Sequence, residues 1–436
     1  MERIIIHSDL NNFYASVERM LNPELCGKPV AVCGSKEERH GIVLAKSEEA
    51  KRFGVRTGDT VWQAQRKCKD IIVVPPHFDK YLEISKKVRG IYAQYTDYIE
   101  SYGIDECWLD ITNSTLLFPK YEGEKFVELD GVRYFAEGFL RHLADCIREE
   151  VKVKMGVTVS CGISFNKVYA KLGSDLKKPD GTTVISKAFY KQIIFGLPVE
   201  ELLYVGNATK NKLASMGITT IGKLAQADDE KMYNTFGKVG LTLLKNARGE
   251  NDEPVSHIDE KREMKSIGNS CTYAEDITSL PRIKRLLYVL SESVAARLRE
   301  SGQGLANTVH LWVRDTNLND FSVQKKVRHT ALCGEIASYA FELFEENVKP
   351  PFQIRSLGVT VSGFDNGKSQ VTFEEEYGNY KKREIVERTV DEIRKKHGYD
   401  KLQRAVVAED PTASKTDIKN SHLIKPAKVD YPEDDK

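Results

Sequence analysis

The chain of 436 residues has no C-x-x-C pair. Its eight cysteines, Cys26, Cys33, Cys68, Cys107, Cys146, Cys161, Cys271 and Cys333, are scattered, which argues against zinc ligation or a disulfide framework and for reduced, structural thiols. Apolar runs are short: none approaches the roughly 18 residues that a membrane span needs. The opening Met1-Glu2-Arg3-Ile4-Ile5-Ile6-His7-Ser8-Asp9 is too brief and polar for a signal peptide, so the expected location is cytoplasmic, with no membrane partner. Neither basic nor acidic side chains are in excess. With 65 basic and 64 acidic side chains the net charge is +1, so any nucleic-acid binding must rest on local features rather than on an overall field. What is present is ordinary globular material: 41% hydrophobic residues, 30% charged residues and a mean hydropathy of -0.42 exclude fibrous and wholly disordered classes. At about 150 residues per domain the length suggests roughly three compact units.

Residues Arg3 to Ser8 form a strand-like run around Ile4-Ile5-Ile6 that stops at Asp9. Asn11-Asn12 then precede an apolar-periodic stretch (Phe13, Val17, Met20, Leu21), a pattern of strand, acidic end and Asn-capped helix. A second acidic end lies between Asp97 and Asp110, where strand-prone stretches flank Gly103 and the pair Asp105-Glu106 sits near the turn of a hairpin. Pro29 to Cys33 reads as a strand, and Ser47 to Phe53 as a helix ending on Gly54. From Leu197 to Gly249 short helices are broken by glycine, and the polar Gly249 to Pro254 reads as a linker. Beyond it, Arg282 to Glu300 is helical, and Asn307 to Val313, Phe321 to Thr330 and Ile354 to Val361 are strands, a separate α+β unit. A charged helix over Lys381 to Lys396 and a disordered tail from Asp410 complete the chain.

Asp9 from one strand end and Asp105 with Glu106 from another can converge on one sheet edge. Repulsion makes that costly unless a divalent cation neutralises it. Mg²⁺ prefers oxygen ligands, and two such ions can clamp the attacking and departing oxygens of a phosphoryl transfer, so the set fits two-metal nucleotidyl transfer. The competing reading makes Asp9 a helix cap and Asp105-Glu106 a solvated turn.

Asp9-Leu-Asn-Asn-Phe-Tyr-Ala-Ser-Val-Glu18, Gly27 to Val32, Arg52 to Arg56, Ile104 to Asp110, and Gly162 to Lys171 through Lys178-Pro179 occur in this order. In these motifs, up to about residue 365, the chain resembles the Y-family translesion DNA polymerases of the DinB/UmuC type. The resemblance implies an α+β, multidomain right-hand polymerase of low fidelity without proofreading: palm over 1–22 and 76–186, fingers over 23–75, a helix-hairpin-helix thumb over 187–250, a linker over 251–264 and a little finger over 265–366. Residues 367–436 would hold the C-terminal helix and tail. It also implies that Asp9, Asp105 and Glu106 are catalytic and hold two Mg²⁺ ions with the carbonyl of Leu10. Tyr14 stands where the family places an aromatic steric gate against a ribose hydroxyl, its alternative being a core aromatic, and Lys178 where a lysine reaches the triphosphate as a point charge. Partners would be primer-template DNA and dNTP, and the chain a monomer. The rival readings are another palm-fold nucleotidyl transferase and a catalytically silent DNA-binding repair scaffold.

Several positions depart from the family pattern. Where many relatives offer Tyr and Arg to the triphosphate, this chain has Glu48 and Lys51; Lys51 can supply charge, whereas Glu48 would repel phosphate. Asn11 replaces a frequent aspartate, Trp108 a frequent tyrosine, and the stretch from Leu116 to Phe139 is longer than usual. Hairpins centred on Gly206 and on Gly237-Lys238-Val239-Gly240 resemble helix-hairpin-helix elements, in which glycine lets the backbone approach a phosphate and a helix N-terminus offers unpaired N–H groups. Gly217 to Lys223 imitates a phosphate-binding loop, but Leu224 occupies the place of the Mg²⁺-binding Ser or Thr, which excludes an ATPase. In the little finger, Lys325, Lys326 and Arg328 lie on a strand whose basic side chains can follow a DNA backbone. Gln370-Val-Thr-Phe373 is a degenerate form of the peptide with which relatives grip a sliding clamp.

Overall fold

The computed structural model describes residues 2–34, 41–260, 263–365, 374–398 and 401–408. It forms two compact units, one from residues up to Cys33 and from Val43 to Glu260, the other from the described residues beyond 262. The Gln370–Phe373 segment and the tail from Asp410 lie outside the described residues.

The first unit begins β1 (Ile5–Leu10), α1 (Phe13–Leu21), β2 (Val30–Cys33), β3 (Val43–Lys46), α2 (Glu48–Arg52), α3 (Val61–Lys67), β4 (Ile72–Val74) and α4 (Phe78–Tyr92). It continues with β5 (Ile99–Ser101), β6 (Glu106–Asp110), β7 (Phe126–Leu129), β8 (Val132–Phe135), α5 (Glu137–Met155), β9 (Val159–Ser164), α6 (Lys167–Leu176) and β10 (Thr182–Ile185). Helices α7 (Tyr190–Ile194), α8 (Asn207–Ser215), α9 (Ile221–Ala225), α10 (Asp229–Phe236) and α11 (Lys238–Arg248) follow.

The apolar run at the start of the chain is the middle strand of a sheet ordered β10-β9-β1-β6-β5, with β1 antiparallel to both neighbours and buried throughout. Being covered on both faces explains why it lacks strict alternation. Ile4, Ile6 and Leu10 pack with Tyr81, Val88, Leu143 and Ile147 of α4 and α5. The opposite face, with Ile5 and Trp108, meets Ala170 of α6. A second sheet, β3-β2-β4, carries α2 and α3. The long Leu116–Phe139 stretch folds as the β7–β8 hairpin, where Phe126 stacks on Phe135 and Arg133 lies 3.8 Å above the Phe126 ring.

Two expectations about this unit are corrected. Asn12 does not cap α1 with its side chain: it sits in the left-handed region (φ 49°) and its Nδ2 donates instead to Glu48 Oε1 at 3.0 Å. The polar stretch after α11, read as a linker, is a strap on the α6 face of the sheet. Val255 is buried with Ile5 and Trp108, the Ser256 amide donates to Glu100 Oε2 at 3.1 Å, and the Ile258 amide to the Asp97 carbonyl at 2.8 Å. Buried Lys167 completes the seam by pairing with Glu100 at 2.8 Å.

The second unit contains β11 (Ser266–Ile277), α12 (Leu280–Ser301), β12 (Ala306–Asp315), β13 (Asp320–Thr330), α13 (Cys333–Asn347), β14 (Ile354–Phe364), α14 (Glu374–His397) and α15 (Ala405–Ala408). Its antiparallel sheet is ordered β11-β14-β12-β13, and α12 and α13 supply the other half of its core. β11 escapes the sequence reading because it is an edge strand rich in Ser, Thr, Asn and Glu. Only Ile267, Asn269, Tyr273 and Ile277 of it are buried.

Helix α14 docks on this unit with charges turned inward. Arg299 of α12 bonds Glu387 and, at 2.8 Å, Asp391; Glu387 also accepts the Cys333 amide at 3.1 Å. Glu292 of α12 takes Arg394 at 3.3 Å and Arg404 at 2.8 Å. Ile385 and Val386, by contrast, point to solvent. All eight cysteines are free, and among the described residues no helix is long and apolar enough to cross a membrane.

Candidate active site

Antiparallel pairing sets Asp9 directly opposite Glu106, and His7 opposite Trp108. Directly opposed residues and residues two apart on a strand share one face, so His7, Asp9 and Glu106 all lie on the side covered by α6. Asp105 immediately precedes the ladder of β6. Its carbonyl accepts the Leu10 amide at 3.0 Å, closing the sheet beside the acidic edge.

Helix α6 approaches the sheet closely because β9 carries glycine where they cross. A Cβ on Gly162 would stand 2.0 Å from the Ala170 carbonyl oxygen and 2.3 Å from the Ser174 nitrogen. A 2.8 Å hydrogen bond between His7 Nδ1 and Ser174 Oγ pins the same contact. The helix therefore delivers its polar side chains to the acidic edge at fixed height. Lys171 Nζ lies 3.0 Å from Glu106 Oε1, 3.3 Å from Asp9 Oδ2 and 3.3 Å from Asp175 Oδ2. Lys178 Nζ lies 2.7 Å from Asp9 Oδ2 and 2.8 Å from Asp175 Oδ1. Among the described residues no three acidic, histidine or cysteine side chains converge into a ready-made cage, and these two ammonium groups stand between the carboxylates.

The protonation pattern follows from burial and from these pairs. Burial, and then the Glu106 charge, pushes Asp9 up to about 7 against the pull of both lysines. Asp105 is raised by burial and again by Glu106. Burial would raise Glu106 as well, but His7 and Lys171 outweigh it and hold that carboxyl well below its usual range. Burial lowers His7 to about 4, so it is neutral at pH 7. Its Nε2 stands 3.5 Å from Glu106 Oε2, long for a hydrogen bond, and both atoms are buried without a hydrogen-bond partner.

Tyr14 stands at the second position of α1. Its ring stacks on Tyr81 with centroids 4.2 Å apart and planes 8° apart, and meets Phe78 edge-on at 5.9 Å. The Tyr81 hydroxyl donates to buried Glu18, which also pairs with His77 at 3.0 Å, so the platform beneath Tyr14 is fixed. Burial, and then the charge of Asp105, raises the Tyr14 phenol, which ties the ring electrostatically to the acidic edge. The doubtful Glu48 is occupied: it accepts from Asn12 and lies 3.6 Å from half-exposed Lys51.

The residues expected at DNA separate into three groups. Gly206 lies between a 3-10 turn and α8 and caps that helix in extended conformation (φ -79°), while the connection from α8 to α9 turns at Gly217 (φ 77°). Gly237 (φ 63°) ends α10 and begins α11 with Lys238 exposed. Gly240 is corrected from a backbone contact to a packing residue, since it is buried and a Cβ there would lie 2.4 Å from the Met232 carbonyl oxygen. On β13, alternation sends Lys326 and Arg328 to the exposed face but turns Lys325 toward α13, where it pairs with Glu342 at 3.1 Å and Glu346 at 3.7 Å. Lys325 therefore does not line the same face as the other two.

Sequence reasoning passed over His7, Lys171 and Asp175. The signal for each was spacing: His7 is two residues from Asp9 on a strand, and 171 and 175 follow the i, i+4 pattern of one helix face, just before Lys178.

Residues 8–175 match the impB/mucB/samB family, 264–373 the C-terminal domain of that family, and 201–251 the thumb domain of DNA polymerase iota. The chain is 44% identical over 413 residues to a DNA polymerase IV of Acetivibrio thermocellus, covering 94% of this chain and 98% of the relative. It is 34% identical over 418 residues to a DNA polymerase IV of Clostridium acetobutylicum, covering 94% and 99%. A solved Y-family DNA polymerase chimera, Dbh-Dpo4(243-245)-Dbh, superposes with a TM-score of 0.69 at 25% identity over 83% of this chain and 99% of that one. With the sheet, the thumb helices and this coverage together, the chain belongs to the Y family of DNA polymerases, and its reaction is template-directed DNA synthesis of the translesion type.

Proposed function

We propose that Asp9, Asp105 and Glu106 form the catalytic centre and, with the Leu10 carbonyl, would hold two Mg²⁺ ions. The donor set fits: all ligating atoms are oxygens, Glu106 Oε2 is a buried acceptor without a donor, and burial together with the Glu106 charge pushes Asp9 up to about 7. When bound, such ions activate the primer hydroxyl and offset charge on the departing pyrophosphate. The protein's own part is orientation. Lys171 and His7 flank Glu106, Lys178 offers an ammonium to the triphosphate from beside Asp9, and Tyr14 presents a ring to the sugar from a fixed platform. Primer-template DNA is held through Gly237 and Lys238 of the thumb and through Lys326 and Arg328 of the second unit, contacts to phosphate that ignore sequence. The enzyme acts as a monomer, and Lys51 adds charge near the triphosphate once released from Glu48.

The observation that carries this reading is the direct cross-strand pairing of Asp9 with Glu106 under a helix that brings two lysines to the same edge. It also disfavours the silent-scaffold reading, since a mere DNA-binding surface gains nothing from burying mutually repelling carboxylates. Primer extension with Glu106→Gln and Asp105→Asn tests it. Each should lose extension at least about 1,000-fold while binding primer-template with parental affinity; substantial extension by either variant refutes the assignment.

A further inference from the structure

Asp175 belongs to none of the carboxylates assigned above, yet both active-site lysines converge on it. It lies one turn after Lys171 on α6 and three residues before Lys178, whose backbone has already left the helix: the capping residue Lys177 has φ -127°. Lys178 therefore reaches back across the last helical turn, and two of its three N–H groups are engaged, one by Asp175 at 2.8 Å and one by Asp9 at 2.7 Å. The Lys171 ammonium likewise forms ion pairs with three carboxylates, Asp175 among them.

The scaffold under Asp175 is rigid. The Gly162 crossing and the His7–Ser174 hydrogen bond fix the helix one residue before it. Its side chain is 38% exposed, so it stands on the outer side of the two lysines, away from the buried sheet edge. With Asp175 neutralised, only Asp9 would attract Lys178. The ammonium would then settle on the oxygen that a cation needs and withdraw from the position facing the triphosphate.

We propose that Asp175 is a positioning residue for DNA synthesis, holding Lys178 outward between Asp9 and the incoming triphosphate while steadying Lys171 behind Asp9 and Glu106. The proposal rests on the reading of Lys178 as the triphosphate contact. A charge-assisted hydrogen bond is worth enough to shift binding about tenfold, so losing the clasp should appear in nucleotide capture more than in the chemical step.

The test is a double-mutant cycle of Asp175→Asn and Lys178→Ala in the full chain. It reads the dNTP KM and kcat for single-nucleotide insertion, the equilibrium dNTP affinity on a dideoxy-terminated primer, and the primer-template affinity as a control. Asp175→Asn should weaken dNTP binding about tenfold with kcat within about threefold and DNA affinity unchanged. Lys178→Ala should do at least as much, and the double variant no worse than Lys178→Ala alone. Asp175→Glu, which keeps the charge, should recover most of the affinity and also guards against a folding defect in the first variant. Unchanged dNTP binding in Asp175→Asn beside weakened binding in Lys178→Ala overturns the positioning role and leaves the triphosphate contact standing. Unchanged dNTP binding in Lys178→Ala removes the contact itself and the proposal with it. Fully additive losses in the double variant, or no recovery in Asp175→Glu, also overturn the clasp.

Discussion

Replacing Tyr14 with alanine separates two roles that a half-buried ring can play. The ring stacks face to face on Tyr81 at 4.2 Å and meets Phe78 edge-on. One aromatic pair is worth about 0.5–1.5 kcal/mol beyond area. With the apolar contact of a half-buried side chain added, the loss should be about 2 kcal/mol, less than the roughly 3–5 kcal/mol for a fully buried aromatic. In a unit of this size that lowers the melting temperature by roughly 4–8 °C. The packing role predicts that much and nothing else. A gate predicts a second effect: removing the ring admits a 2′-hydroxyl, and since a small displacement at a reacting centre costs about 100-fold in rate, the preference for dNTP over rNTP should fall by about that factor. Tyr14→Phe keeps the ring on its platform and should retain both properties. The assay is single-nucleotide insertion with matched rNTP and dNTP pairs, beside thermal unfolding of the same preparations. A Tyr14→Ala enzyme that melts early but discriminates like the parent refutes the gate.

Lys51→Ala should raise the dNTP KM about threefold, whereas Glu48→Ala, by releasing Lys51 from its 3.6 Å partner, should leave KM unchanged or lower it; the reverse ranking in steady-state kinetics would show that Lys51 does not reach phosphate. Lys326→Ala and Arg328→Ala should each reduce the slope of log affinity against log salt by about one in a DNA-binding titration, and Lys325→Ala, whose ammonium faces Glu342, should not. Gly162→Ala should destabilise by more than about 3 kcal/mol in denaturant unfolding, because its Cβ would stand 2.0 Å from the Ala170 carbonyl oxygen and α6 would have to lift; a loss below about 1 kcal/mol would show that the helix is not pinned there.

What the sequence disclosed depended on whether the determining interaction was local. Ile4-Ile5-Ile6 followed by Asp9, and Asp105-Glu106 beside Gly103, carry their meaning in a few adjacent residues, and both became strand ends on one edge. The role of Lys171 was hidden because a lysine on a helix looks solvated until the sheet beneath it is known. Val255 looked like linker because its burial comes from Ile5 and Trp108, residues far away in sequence. Strand β11 hid for a related reason: an edge strand buries one face, and its polar half dilutes the alternation.

The inward charges of α14 also decide where the second unit may be cut. The family pattern stops at residue 373, before the first described turn of that helix. A fragment ending there would keep Arg299 and Glu292, side chains only 5% and 3% exposed, but lose Glu387, Asp391, Arg394 and Arg404, which answer them. Such a fragment would lose this ion-pair network and open to water the face of α12 that the helix covers, and so would be less stable than the longer chain. A recognisable motif boundary and a mechanical boundary thus differ by some thirty residues, and a fragment meant to fold alone should run past Arg404.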